Sequence, residues 1–274
     1  MVRRPLGNHH DGPDTLLVTS DTTDTAQTEP VAAETQYDTE RLKELIARAR
    51  VVLWDFDGPI CTLFARHPSA GVAARFVEWL ERVGLSYLLM EQERGFQDPQ
   101  AVLRAVDSRH PGSDLVAEME ERLTKEELHA AIGAMPTPWA DPLIRTWKAV
   151  GARLAITTNN SPLAVHKYLE SRDLLSCFAP HIYGRTQDLG LLKPDPHCLN
   201  RALSAMGADP ATALMIGDSP ADAAAAREAG VSFLGYARDE DKENSLRDVK
   251  VKDVVGSLEP LLQLLREKPT DLTG

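Results

Sequence analysis

The chain has 274 residues, 43% of them hydrophobic, and a formal net charge of −11. That length and apolar content support one large core or two smaller ones. The acidic balance argues against a nucleic-acid partner, whose phosphates call for a basic surface.

Arg3 and Arg4 are not followed by the apolar stretch of a secretory signal, and no apolar run approaches the ~20 residues needed to span a bilayer. No membrane association is therefore expected. Cys61, Cys177 and Cys198 lack metal-ligand spacing, and their odd number points to reduced thiols in the cytoplasm. Residues 5–40 hold eight Asp or Glu and no Lys or Arg. Such a segment cannot bury enough surface to offset its ordering entropy, so 1–37 is expected to be a disordered acidic tail.

Order is expected to begin at Asp38, a suitable N-cap, with Leu42, Leu45, Ile46 and Ala49 at helical spacing behind it. The apolar run 51–54 reads as a buried strand and ends on Asp55-Phe56-Asp57-Gly58. From 62 to 138 the pattern is helical. Val72, Phe76, Trp79, Leu80 and Val83 form one stripe, and further helical stretches are expected at 100–106, 115–123 and 125–132. Pro99, Pro111-Gly112 and Met135-Pro136-Thr137-Pro138 punctuate this segment, and no strand is evident in it. After Pro138 helices (141–150, 162–170, 196–206, 221–229, 258–265) alternate with strands (152–157, 181–183, 213–216, 231–234). That rhythm predicts a parallel sheet with helices on both faces.

Polar clusters follow the apolar runs: Asp55/Asp57, Thr158-Asn159 and Gly217-Asp218-Ser219-Pro220-Ala221-Asp222 at strand ends, and Lys193-Pro194 opening a helix. In a parallel sheet, ligands bind beyond the carboxyl ends of the strands. The fold should therefore gather all four clusters along one edge. Paired carboxylates there suit Mg²⁺ and a phosphoryl group. Taken singly, each cluster would pass for a turn or a helix cap.

In this order and context the motifs resemble those of the haloacid dehalogenase-like (HAD) hydrolase superfamily. Its D-x-D-G is matched at 55–58, and its apolar strand ending in Thr at 154–159. Its Lys-Pro is matched at 193–194, and its G-D-x-x-x-D at 217–222. The resemblance spans about 50–235. It implies an α/β fold with a Rossmann-like parallel sheet core (38–61 and 139–274) and an inserted all-helical cap domain (62–138). It also implies a Mg²⁺-dependent phosphatase acting on a small phosphorylated metabolite, phosphoglycolate and sugar phosphates being typical.

Under that reading Asp55 is the nucleophile, forming an aspartyl-phosphate, and Asp57 the general acid and base. Thr158 and the Asn159 backbone hold phosphoryl oxygens, and Lys193 supplies charge. Asp55, Asp57 (through its carbonyl) and Asp218 surround the metal, and Asp222 completes the acidic set, orienting a ligand water or Lys193. Arg66, His67 and Arg94 are the expected cap contacts to substrate.

Asp57 argues against dehalogenation. The lack of Lys between Lys43 and Lys125 argues against a Schiff-base mechanism. His67 has the spacing of a residue found in sugar phosphomutases, which leaves a mutase as an alternative beside a non-catalytic metabolite sensor. Monomer and homodimer stay equally open.

Overall fold

The computed structural model describes residues 38–267. The expectation of a disordered tail falls on 1–37, outside the described residues. The described chain belongs to one compact unit.

The elements, in order, are helix α1 (Thr39–Arg48), strands β1 (Val51–Trp54) and β2 (Cys61–Thr62), and helices α2 (Ser69–Arg82), α3 (Pro99–Asp107) and α4 (Asp114–Gly133). Next come β3 (Met135–Pro136), α5 (Ala140–Ala149), β4 (Arg153–Thr157), α6 (Pro162–Ser171), α7 (Leu175–Phe178), β5 (Ile182–Tyr183) and α8 (His197–Met206). β6 (Ala213–Gly217), α9 (Pro220–Glu228), β7 (Ser232–Tyr236), α10 (Glu240–Asp248), β8 (Val254–Val255) and α11 (Glu259–Glu267) follow to the end of the described residues.

Six strands form one parallel sheet in the order β5-β4-β1-β6-β7-β8. Alternate residues of a strand point to opposite faces, and the packing follows that rule. Val52, Trp54, Leu154, Ile156, Leu214 and Ile216 meet α1, α5, α6 and α11 on one face. Val51, Leu53, Ala155 and Met215 meet α8 and α9 on the other. Burial on both faces explains why these strands read as continuous apolar runs.

Helices α2, α3 and α4 form a second cluster around Val72, Phe76, Leu80, Leu103 and Met119, joined by Leu189 and Leu192 from the segment after β5. The expectation that 62–138 holds no strand needs correction. Cys61–Thr62 and Met135–Pro136 pair antiparallel where the helical insertion leaves and rejoins the sheet. Among the described residues no helix is long and apolar enough to cross a membrane.

Candidate active site

The sheet register levels the site. Trp54 of the central strand lies opposite Ile156 on one side and Ile216 on the other. The residues just beyond these positions therefore leave the sheet at one height. The Asp55 N–H still donates to Ile216 O at 2.9 Å, and the Thr158 N–H to Tyr183 O at 3.0 Å. Asp218 follows β6 directly and Ser219 caps α9. The Ser219 hydroxyl accepts the Asp222 N–H, while Asp222 Oδ2 accepts the backbone N–H of Ser219 and Asp218. This reciprocal cap satisfies orphan donors of the first turn and fixes Asp222 beneath the sheet edge.

Lys193 enters from the segment before α8 and ties the clusters together. Its ammonium stands 2.9 Å from Asp55 Oδ1 and 2.5 Å from Asp222 Oδ1, and it donates to Thr157 O at 2.8 Å. Its backbone exchanges two hydrogen bonds with the Asn159 side chain, the N–H donating to Oδ1 at 2.8 Å and the carbonyl accepting from Nδ2 at 3.1 Å. Asp57 Oδ1 accepts the Leu63 N–H at 2.9 Å. Asp218 Oδ2 is 2.8 Å from Lys242 Nζ. A cavity of about 690 Å³ opens onto Asp55, Asp57, Thr158, Asn159, Lys193 and Asp218.

Burial disfavours charge and sets the electrostatics. It pushes Asp55 up to about 7, helped by the charge of Asp222 and opposed by Lys193. It pushes Asp57 up to about 6 against the Leu63 hydrogen bond, and Asp218 up to about 6 against Lys242. For Lys193 burial works against the charge, but Asp222 and Asp55 outweigh it and the pKa is raised.

Asp55, Asp218 and Asp222 place carboxylate oxygens within 4.8 Å of one another. Hard oxygen donors crowded at that spacing fit a small divalent cation such as Mg²⁺. Asp222 fits least well as a ligand, since Oδ2 is taken by the cap and Oδ1 faces Lys193.

The structure brings together Asp55, Asp57, Thr158, Asn159, Lys193, Asp218 and Asp222. Arg66, His67 and Arg94 are not among the residues lining that cavity. His67 Nε2 is held 2.5 Å from Glu126, which also pairs with Arg75. Arg66 is exposed and packs against Gly133. Arg94 donates to Ser86 O at 3.2 Å and faces Glu91.

The residues the insertion does present to the cavity include Asp98, Gln100, Ala101 and Arg104 of α3 and its N-cap. Arg238 and Lys242 also line it, although they stand in a charge-dense stretch that reads as solvated surface. A further feature without a motif supports the Thr158 loop. Arg185 and Glu127, both with fully buried side chains, form a two-pronged ion pair at 2.8 Å. Glu127 also accepts from Asn160 Nδ2 and the Ser161 N–H, each at 3.0 Å.

Residues 49–230 match the family model described as haloacid dehalogenase-like hydrolase, and the chain belongs to that family. Phosphoglycolate phosphatase of Rhodospirillum rubrum is 36% identical over 111 residues, covering 39% of this chain and 45% of that protein. This chain thus matches less than half the length of that relative. Phosphoglycolate phosphatase of Neisseria gonorrhoeae is 27% identical over 197 residues, covering 69% of this chain and 80% of that one. A solved haloacid dehalogenase-like family protein of Streptococcus pneumoniae superposes with a TM-score of 0.57 at 18% identity. It covers 81% of this chain and 100% of its own. At that identity the likeness is one of fold.

Proposed function

We propose that the protein is a Mg²⁺-dependent phosphatase hydrolysing a small phosphate monoester through an aspartyl-phosphate on Asp55. One observation carries the reading: two carboxylates, a threonine, a lysine and a third carboxylate from four separate segments face a single cavity. The relatives' names supply the first ester to try, 2-phosphoglycolate.

In the first step an Asp55 oxygen attacks phosphorus and the bond to the leaving oxygen breaks. Asp57 gives that oxygen its proton, so an alcohol departs. In the second step Asp57 takes a proton from water, the water oxygen attacks phosphorus, and the bond to Asp55 breaks to release inorganic phosphate. Burial keeps Asp57 near the pH at which it can both give and take a proton. The Leu63 N–H holds its Oδ1, leaving Oδ2 for that proton.

Thr158 and the Asn159 backbone receive the phosphoryl oxygens, and Lys193 offsets their charge. Bound Mg²⁺ would neutralise phosphoryl charge, held by the carboxylates of Asp55 and Asp218 and the carbonyl of Asp57. Asp222 positions Lys193. The helical insertion 62–138 acts as a cap that limits substrates to small molecules, and the cytoplasm is the proposed location. A mutase is less favoured, because His67 is engaged by Glu126 away from the cavity.

The test is phosphate release from 2-phosphoglycolate, sugar phosphates and p-nitrophenyl phosphate, with Mg²⁺ and with EDTA. Turnover should need the metal and vanish in Asp55→Asn. Release that survives Asp55→Asn would sink the covalent mechanism, and no release from any ester would sink the phosphatase.

A further inference from the structure

Among the four cations lining the cavity, three are matched by carboxylates. Lys193 pairs with Asp55 and Asp222, Lys242 with Asp218, and Arg238 with Asp239. Arg104, the one contributed by the helical insertion, makes no ion pair among the described residues. Its Nη2 donates to Lys193 O at 2.7 Å. Its Nε is closed off and has no partner, so the terminal NH₂ groups are the ones a ligand would meet.

Burial lowers its pKa from the ordinary value, with Asp98 opposing. An anion beside it would relieve that penalty. Asp98 faces the same cavity but is committed to capping α3, accepting the Gln100 N–H at 2.8 Å. Arg104 lines the same cavity as Asp55 and bonds the backbone carbonyl of Lys193, whose ammonium stands 2.9 Å from Asp55.

We propose that Arg104 is the specificity-determining residue of this site: it binds a carboxylate on the leaving group, so the preferred substrates are phosphate esters of small hydroxy acids. The proposal rests on the phosphatase reading and deepens it. Guanidinium and carboxylate form charge-assisted hydrogen bonds about twice as strong as neutral ones. A neutral leaving group would leave the Arg104 donors not held by Lys193 O without a charged partner in a partly buried place. The non-reacting end of the substrate would thereby help to orient the reacting end, which is how binding energy remote from the chemistry serves catalysis.

The experiment compares two esters of nearly equal size, 2-phosphoglycolate and 2-hydroxyethyl phosphate, on the wild-type enzyme, Arg104→Gln and Arg104→Lys. The wild type should favour the carboxylate in kcat/KM by at least tenfold. Arg104→Gln should raise KM for 2-phosphoglycolate at least tenfold and leave kcat/KM for 2-hydroxyethyl phosphate within threefold. Arg104→Lys should recover part of the preference. An ester bearing a second phosphate is run beside them, and a wild-type preference for it over 2-phosphoglycolate overturns the assignment to carboxylate.

Equal loss on both esters would assign Arg104 to holding the Lys193 loop and overturn the proposal, as would no loss on either. A measurement free of any variant stands beside these: glycolate should inhibit hydrolysis of 2-hydroxyethyl phosphate competitively, and ethylene glycol should not. Equal inhibition by both overturns the proposal. A wild type inactive on every ester refutes the phosphatase reading instead, so the two failures are told apart.

Discussion

A methyl group at position 58 would stand 2.5 Å from the Asp218 carboxylate, and the backbone there holds φ at +118°. Gly58 is therefore required twice, for its conformation and for the close approach of two acidic segments. Gly58→Ala should cost about 1–3 kcal/mol, the usual range for forced backbone strain, and should lower turnover more than tenfold by displacing Asp218. A wild-type urea midpoint would show that the approach is looser than described.

The same scale separates what a reader of the sequence can find from what stays hidden. Asp55, Thr158 and Asp218 were legible because each terminates an apolar strand, and Lys193 because Pro follows it before a helix. Arg104 was not. Its neighbours Val102, Leu103, Ala105 and Val106 are buried, and nothing in that pattern distinguishes a polar position facing a cavity from one facing solvent. The contact of His67 with Glu126 was hidden for a related reason, since the two lie 59 residues apart.

Among the elements, α4 departs most from expectation. The stretches 115–123 and 125–132 are one helix of 20 residues, opened by Ser113, whose hydroxyl accepts the Val116 N–H. Its first half, with Val116, Met119 and Leu123, packs in the insertion's own cluster. Its last turns place Ala130 and Ala131 in the sheet's core. Glu127 lies between, fully buried, and its ion pair with Arg185 joins the helix to the loop that carries Thr158.

Removing one partner of a buried pair strands the other charge, so Glu127→Ala should cost about 3–5 kcal/mol. Chemical denaturation measures this, and a loss below about 1 kcal/mol would mean that the pair is solvated. Pattern reading did not reveal this tie, because Arg185 and Glu127 lie 58 residues apart and no local period links them. The β2–β3 pair escaped for the same reason.

At the scale of the molecule, the parallel sheet flanked by helices was readable from the alternation of patterns. The strand order was not, because nothing local states that β1 lies between β4 and β6. α10 and β8 also went unread, one from a charge-rich stretch and one only two residues long. A cation held by the proposed Asp55/Asp218 site would stabilise the whole fold, because it binds the native state alone. A ligand binding only the native state at 100 times its Kd adds about 2.7 kcal/mol. For a chain of this size that raises Tm by roughly 5–10 °C. Saturating Mg²⁺ should produce that shift in a thermal melt, EDTA should reverse it, and Asp218→Asn should abolish it. A melt insensitive to both would refute the proposed metal site.

The position of β1 also governs the order of events at the ribosome. It is the earliest strand of the sheet, yet its neighbours begin at Arg153 and Ala213. At about 5–20 residues per second, synthesis of the intervening chain takes roughly 8–30 s before the second neighbour exists. Throughout that interval Val51–Trp54 has only one flank or none, an apolar edge open to chaperones or to neighbouring nascent chains. Stalled chains ending before β6 should remain cleavable at this strand by protease, and chains in which β6 has emerged should become resistant. Asp55 at its tip is among the first residues of the candidate site to be made and among the last to be set in place.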